Sequence, residues 1–127
     1  MVRVILSLWL LNEMMKIITD KISLNEIKQM ADEMFGNMVK VVVDVEREIM
    51  AIDGELHADE EALLLENGSK QQNLWGINIY PELTGDDFIE FDSVINLRPS
   101  QGNKSRGVDD RKVREKIINI LNKLIQK

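Results

Sequence analysis

Phe88-Ile89-Glu90-Phe91-Asp92-Ser93-Val94-Ile95-Asn96-Leu97-Arg98 keeps a period of two along most of its length. Ile89, Phe91, Ser93, Ile95 and Leu97 fall on one side. Glu90, Asp92, Asn96 and Arg98 fall on the other, with Phe88 and Val94 among them. A strand of this pattern buries one face and presents two carboxylates, an amide and a guanidinium on the opposite one. The stretch therefore predicts a sheet with one face packed and one face open.

The flanking segments extend that sheet. Leu74 to Tyr80 precedes it, joined through Pro81 to Asp87, and reads as its antiparallel neighbour. Trp75, Ile77 and Ile79 would point to the core, while Asn78 and Tyr80 share the polar face with Glu90 and Asp92. Lys16 to Thr19 reads as a short strand, and Val39 to Val45 is a β-branched one. Asp53-Gly54 is a hairpin signal that would pair Glu48–Ile52 with Glu55–Ala58. Glu60 to Glu66 is either a short helix capped by Asp59 and closed by Gly68, or a strand turning at Asn67-Gly68. The Asn-Gly pair favours the strand.

Two helices complete the pattern. Ser23-Leu24-Asn25-Glu26 is a capping box, after which Ile27, Met30, Ala31 and Met34 form one apolar stripe ending at Gly36. Asp109 or Asp110 opens the last helix, where Val113, Ile117, Ile120, Leu121 and Leu124 recur at helical spacing. The expected fold is α+β, a mainly antiparallel sheet with two amphipathic helices packed on one face.

A length of 127 residues suits one domain with a real core, expected over residues 15–127. The first fourteen residues read as an N-terminal extension, because Met14 and Met15 directly precede the patterned part and offer a later translation start. Their apolar run is too short to span a bilayer. With no cysteine, thiolate catalysis and disulfides are excluded, and a cytoplasmic location is expected. The net charge of -6 argues against membrane or general nucleic-acid partners. The charge is uneven, however. Residues 98–114 hold six basic side chains against Asp109 and Asp110, a local +4 that leaves -10 elsewhere. That basic island is a candidate anion site.

His57, the single histidine, sits within Gly54-Glu-Leu-His-Ala-Asp-Glu-Glu61. If Leu56 and Ala58 are buried, its ring shares the polar face and can act as general acid or base. His57, Glu90 and Arg98 then form a candidate catalytic set. Tyr80, Asp92, Asn96, Arg98 and Arg106 form a candidate ligand set. A single imidazole among scattered carboxylates falls short of the usual zinc ligand count, so no metal and no cofactor is expected. The leading expectation is a module binding a small anionic or polar ligand on the open face. The alternatives are a metal-independent phosphodiesterase, with Glu90 as base, His57 as acid and Arg98 on phosphate, or a homodimer interface.

The runs GELHADEEALLLENGS, LWGINIYP and IEFDSVINLRPSQGNKSRG resemble a small family of uncharacterised bacterial and archaeal proteins, defined only as a domain of unknown function. The resemblance covers about Met15 to Lys127. It implies no activity, cofactor or partner, so the residue roles above stand on side-chain chemistry alone.

Overall fold

The computed structural model describes residues 14–127, and the expectations for residues 1–13 lie outside them. The elements in chain order are β1 (Lys16–Ile18), β2 (Ile22–Ser23), α1 (Leu24–Glu33), β3 (Val39–Asp44), β4 (Ile49–Ile52), α2 (His57–Glu66), β5 (Leu74–Ile79), β6 (Ile89–Glu90), α3 (Arg111–Leu124) and β7 (Ile125–Gln126). Five strands form an antiparallel sheet in the order β1-β4-β3-β5-β6. A two-residue parallel pairing of β2 with β7 ties the start of α1 to the end of α3. The fold is α+β, as the periodicities predict. No helix among the described residues is long and apolar enough to cross a membrane.

The two expected helices form as their caps dictate. The Ser23 hydroxyl accepts the Glu26 N–H at 3.1 Å, and the Asp110 carboxylate accepts the Lys112 N–H at 2.8 Å. Both helices pack on one face of the sheet. Ile27, Met30 and Ala31 of α1 and Ile117, Ile120, Leu121 and Leu124 of α3 meet Val41, Val43, Met50, Ile52, Trp75, Ile77 and Ile79. Each fully buried leucine or isoleucine there contributes roughly 1.5–3 kcal/mol.

The other face differs from expectation, because a third helix covers half of it. Leu64 of α2 seals Val42, Ile49, Ala51 and Leu74, with Leu63, Ile17 and Ile95 at the rim. Residues 57–66 are thus helix and not strand. Alanine, leucine and glutamate favour the helix intrinsically, and Asp59 and Glu60 in its first turn suit the dipole. Asn67-Gly68 serves as a helix stop. Gly68 adopts φ 96°, and the Ser69 N–H returns to the Leu64 carbonyl at 3.0 Å.

Asp53-Gly54 makes no hairpin either. Both edges of β4 are already paired, with β3 and with β1, so no further strand can join it. The hairpin lies instead at Val45–Glu48, where the Asp44 carboxylate accepts the N–H groups of Glu46 and Arg47, each at 3.0 Å, and Glu48 takes φ 55°. This turn contains no glycine, which hid it from pattern reading.

The decisive difference lies in residues 88–98, where only Ile89 and Glu90 remain in the sheet, opposite Ile79 and Asn78. The chain then leaves the sheet, and a side chain takes the place of the missing strand. Asn96 accepts the Gly76 N–H at 2.8 Å and donates to the Gly76 carbonyl at 2.9 Å. Its second amide hydrogen reaches the Arg106 carbonyl at 2.9 Å. Beside it, Ser93 lies so close that a Cβ on Gly76 would come within 2.6 Å of the Ser93 side chain.

Gly76→Ala should therefore cost about 1–3 kcal/mol through overpacking, lowering Tm by roughly 4–10 °C. Adding Ser93→Gly should restore much of the loss. An unchanged melting temperature in the single variant would show that this close approach does not constrain the protein.

Candidate functional site

On the face that α2 half covers, the uncovered part holds a polar row running across three strands. Lys40 of β3 stands opposite Asn78 of β5, and Asn78 stands opposite Glu90 of β6. The Asn78 amide donates to Glu90 Oε1 at 2.8 Å, and the Tyr80 hydroxyl donates to the same oxygen at 3.1 Å. Burial and then Glu90 raise the Tyr80 pKa, so the phenol keeps its proton. The Asn78 carbonyl oxygen Oδ1 is buried and has no donor among the described residues.

His57 closes this row from above. It is the first residue of α2, and its ring turns inward against the sheet. Nε2 lies 2.7 Å from the Ile77 carbonyl, which can only accept, so Nε2 carries the proton and Nδ1 is left as a lone-pair acceptor. Burial is the main cause lowering the His57 pKa. The Ile77 contact opposes it, Lys40 and Arg106 reinforce it, and Asp92 acts the other way. The ring is therefore neutral at neutral pH.

Of the residues expected at a site, the structure brings His57, Tyr80, Glu90, Asp92 and Arg106 to this region. Arg106 Nε donates to Asp92 Oδ1 at 2.7 Å. Arg98 lies elsewhere. It donates to the Leu74 carbonyl and, at 2.7 Å, to that of Gln71, and its guanidinium stacks on Trp75 at 4.1 Å from the ring centroid. Leu74 and Asn78 are four residues apart on β5, about 13 Å at strand rise, so Arg98 does not meet Glu90. Asn96 is fully buried on backbone groups.

The arginines of the basic island are engaged within the chain, although most of the island is exposed. Arg98 holds carbonyls, Arg106 pairs with Asp92, Arg111 with Glu115 at 3.2 Å, and Arg114 donates to the Val108 carbonyl at 2.6 Å. Asn103, missed as an organiser, donates to the carbonyls of Asn96, Ser105 and Gly107 and accepts the Asp109 N–H.

Lys40 of the row and the buried Glu60 beside it escaped the sequence reading, which placed Asn78 on the polar face but outside the ligand set. A signal existed for Lys40, the one charge inside an otherwise β-branched strand interior. Glu60 is fully buried, one turn along α2 from His57. Its Oε2 accepts the Gly54 N–H at 2.9 Å, while Oε1 has no partner. Burial pushes its pKa well above the usual carboxylate range. The Gly54 bond and Lys40 oppose this, and Asp53 and Asp59 add to it. No three acidic, histidine or cysteine side chains among the described residues converge to hold a metal ion.

The three helices, the antiparallel sheet and the loop tied back onto β5 define a small α+β domain class. Its family model, described as a protein of unknown function (DUF5674), matches residues 16–124, and the chain belongs to that family. No curated protein and no solved structure matches it.

Arg98→Ala should lower Tm by roughly 10 °C, since a stacked cation and two charge-assisted hydrogen bonds are together worth about 2–3 kcal/mol. Arg98→Lys should recover only part, because an ammonium cannot fork between two carbonyls. A melting temperature unchanged in Arg98→Ala would contradict the structural assignment.

Glu60 gives a pH prediction of definite sign. Its folded pKa exceeds the unfolded one, so the folded chain holds a proton that the unfolded chain releases. Its contribution is complete below the unfolded value near 4.5 and declines as pH rises towards the folded value. Glu60→Gln mimics the neutral acid, so its Tm advantage over wild type should grow from pH 4.5 to pH 8. A pH-independent difference between the two melting curves would refute this.

Proposed function

We propose that the chain binds a small polar ligand on the uncovered half of the second sheet face, over the row of Lys40, Asn78 and Glu90, with His57, Tyr80 and Asp92 around it. The observation that carries this reading is the unpartnered Asn78 oxygen. An acceptor removed from water without a donor costs about 1–3 kcal/mol.

The other buried asparagines and Asp44 escape that cost, while Glu60 Oε1, Glu61 Oε2 and Arg98 Nε share it with Asn78. Asn96 and Asn103 have both ends of their amides engaged, and buried Asp44 accepts from Glu46, Arg47 and Ser69. Asn78 alone among the buried asparagines keeps an open acceptor, and the His57 Nδ1 lone pair lies on the same face. Both are placed by rigid elements, a central strand and the first turn of a helix, which suits recognition with little reordering. The ligand is polar and not specifically anionic, because the arginines expected to hold an anion are committed to carbonyls and carboxylates.

Asn78→Leu separates binding from structure. Removing an unsatisfied polar group should raise the Tm of the free protein by a few degrees. It should also abolish the shift that wild type shows with a compound from a panel of nucleosides, amino acids, sugars and phosphates. If Asn78→Leu melts lower and no compound stabilises wild type, the row is a structural feature and the reading fails.

A further inference from the structure

A groove of about 500 Å³ lies between α3 and the outer edge of β6. It is separate from the polar row, because Ile89 and Phe91 pack towards the sheet face that α1 and α3 cover. Arg114, Ile118 and Asn122, each one turn apart on α3, form one wall, and Phe88, Ile89 and Phe91 form the other. Ile118 is 38% exposed, on a helix whose other isoleucines are buried before Ile125.

The β6 wall is an open strand edge, since β6 is the last strand of the sheet. The Tyr80 N–H donates to the Phe88 carbonyl at 2.9 Å, and Asn78 stands opposite Glu90. Hydrogen-bonded pairs alternate along an antiparallel ladder. The N–H and carbonyl of Ile89 therefore point outwards, and neither meets a hydrogen-bond partner among the described residues. The opening closes at Phe91. There Gly107 lies against the Phe91 carbonyl, where a Cβ would come within 3.3 Å, and the Ser93 N–H goes to the Arg106 carbonyl. Arg114 stands at this closed end. Its Nη1 donates to the Val108 carbonyl, next to Gly107, while Nε and Nη2 have no hydrogen-bond partner among the described residues. Asp109, the acid beside it, is engaged by the Lys104 N–H and the Ser105 hydroxyl. Asp86 and Lys127, the other charges of the lining, sit at the Phe88 end, where the Lys127 ammonium is 4.6 Å from the Phe88 ring centroid.

We propose that this groove receives the C-terminal end of an extended peptide that finishes in an apolar residue. Its backbone pairs with Ile89 as a short added strand, and its apolar side chain lies against Ile118 and Phe91. Its terminal carboxylate takes the open N–H groups of Arg114. A strand edge supplies main-chain hydrogen bonds, and the groove beside it selects side chains. A guanidinium holds a carboxylate through two parallel bonds. A chain continuing past Arg114 would meet Gly107, so the closed end favours a terminus over an internal segment. A small amphipathic acid would reach Arg114 but leave Ile89 unpaired.

The test is isothermal titration calorimetry of the full chain with acetylated Ala-Val-Ala-Xaa tetrapeptides, where Xaa is Val, Leu, Ile or Phe. Each is used as the free acid and as the C-terminal amide, with octanoate as a carboxylate that lacks a peptide backbone. At least one free acid should bind, and amidation should weaken it about tenfold or more. N-methylation at one of the two middle residues should do the same while the other tolerates it, because successive N–H groups of an extended chain point to opposite sides. Ile118→Glu changes an exposed side chain, so it should melt like wild type and lose about tenfold or more in affinity. Arg114→Gln should weaken the free acid to the level of the amide, a discrimination that a purely structural arginine would not provide. Equal binding of acid and amide, or binding of neither, overturns the proposal, as does equal affinity in wild type and Ile118→Glu. Octanoate that binds as tightly as the peptides and is lost in Ile118→Glu would make the groove a site for small amphipathic acids instead.

Discussion

The amide of Asn96 against the backbone of Gly76 is the contact on which the rest of this arrangement depends. β5 is an interior strand only as far as Asn78 and Ile79, where β6 pairs with it. Beyond that point its outward N–H and C=O would be orphaned in a buried setting. Asn96 supplies one donor and one acceptor at the spacing of a neighbouring strand and satisfies both. Because a side chain does this work, the main chain is free to leave the sheet after two residues. It returns as a loop whose own carbonyls are gathered by Asn103. Gly76 is required because a Cβ there would collide with Ser93 and crowd His57.

That departure also shapes the candidate site. A full-length sixth strand would have continued the ladder and placed Asp92, Asn96 and Arg98 in a flat row beside β5. Instead Arg98 folds under the loop onto Trp75 and the carbonyls of Gln71 and Leu74, and Asn96 turns inward. What remains on that face is the short row from Lys40 through the buried Asn78 to the exposed Glu90, overhung by the first turn of α2. Two kinds of polar residue result. Asn96 and Asn103, which close the fold, have both ends of their amides engaged, whereas Asn78 in the row keeps an unused acceptor. Among the buried asparagines, engagement of both amide ends thus separates the structural side chains from the candidate for recognition.

The buried acid of α2 belongs to the same economy. Glu60 anchors the Gly54 amide as the chain turns from β4 into α2, which allows a glycine to sit where a Cβ would meet the Glu60 side chain at 2.7 Å. Its buried carboxyl, bonded to the Gly54 amide, fixes the helix start from which His57 projects. The position of the imidazole thus depends on a carboxyl three residues further along the same helix.

Local rules determined much of this protein from the chain alone. Ser23 and Asp110 cap helices wherever they are followed by an apolar stripe, and the period-two runs of β3 and β5 face the core as valine, tryptophan and isoleucine must. The α+β class and the packing of α1 and α3 on one face follow from those patterns. The pairing partners could not follow, because they depend on which edges are already occupied. Asp53-Gly54 is a hairpin signal only if β4 has a free edge, and β1 takes it. Asn67-Gly68 turns a hairpin or stops a helix according to what precedes it. Glu90 and Asn96 alternate as strand residues in the sequence, yet one stays on the surface and the other becomes a surrogate strand. The tertiary structure made that choice, because the backbone of Gly76, twenty residues away, needed hydrogen-bond partners that no pattern within residues 88–98 could reveal.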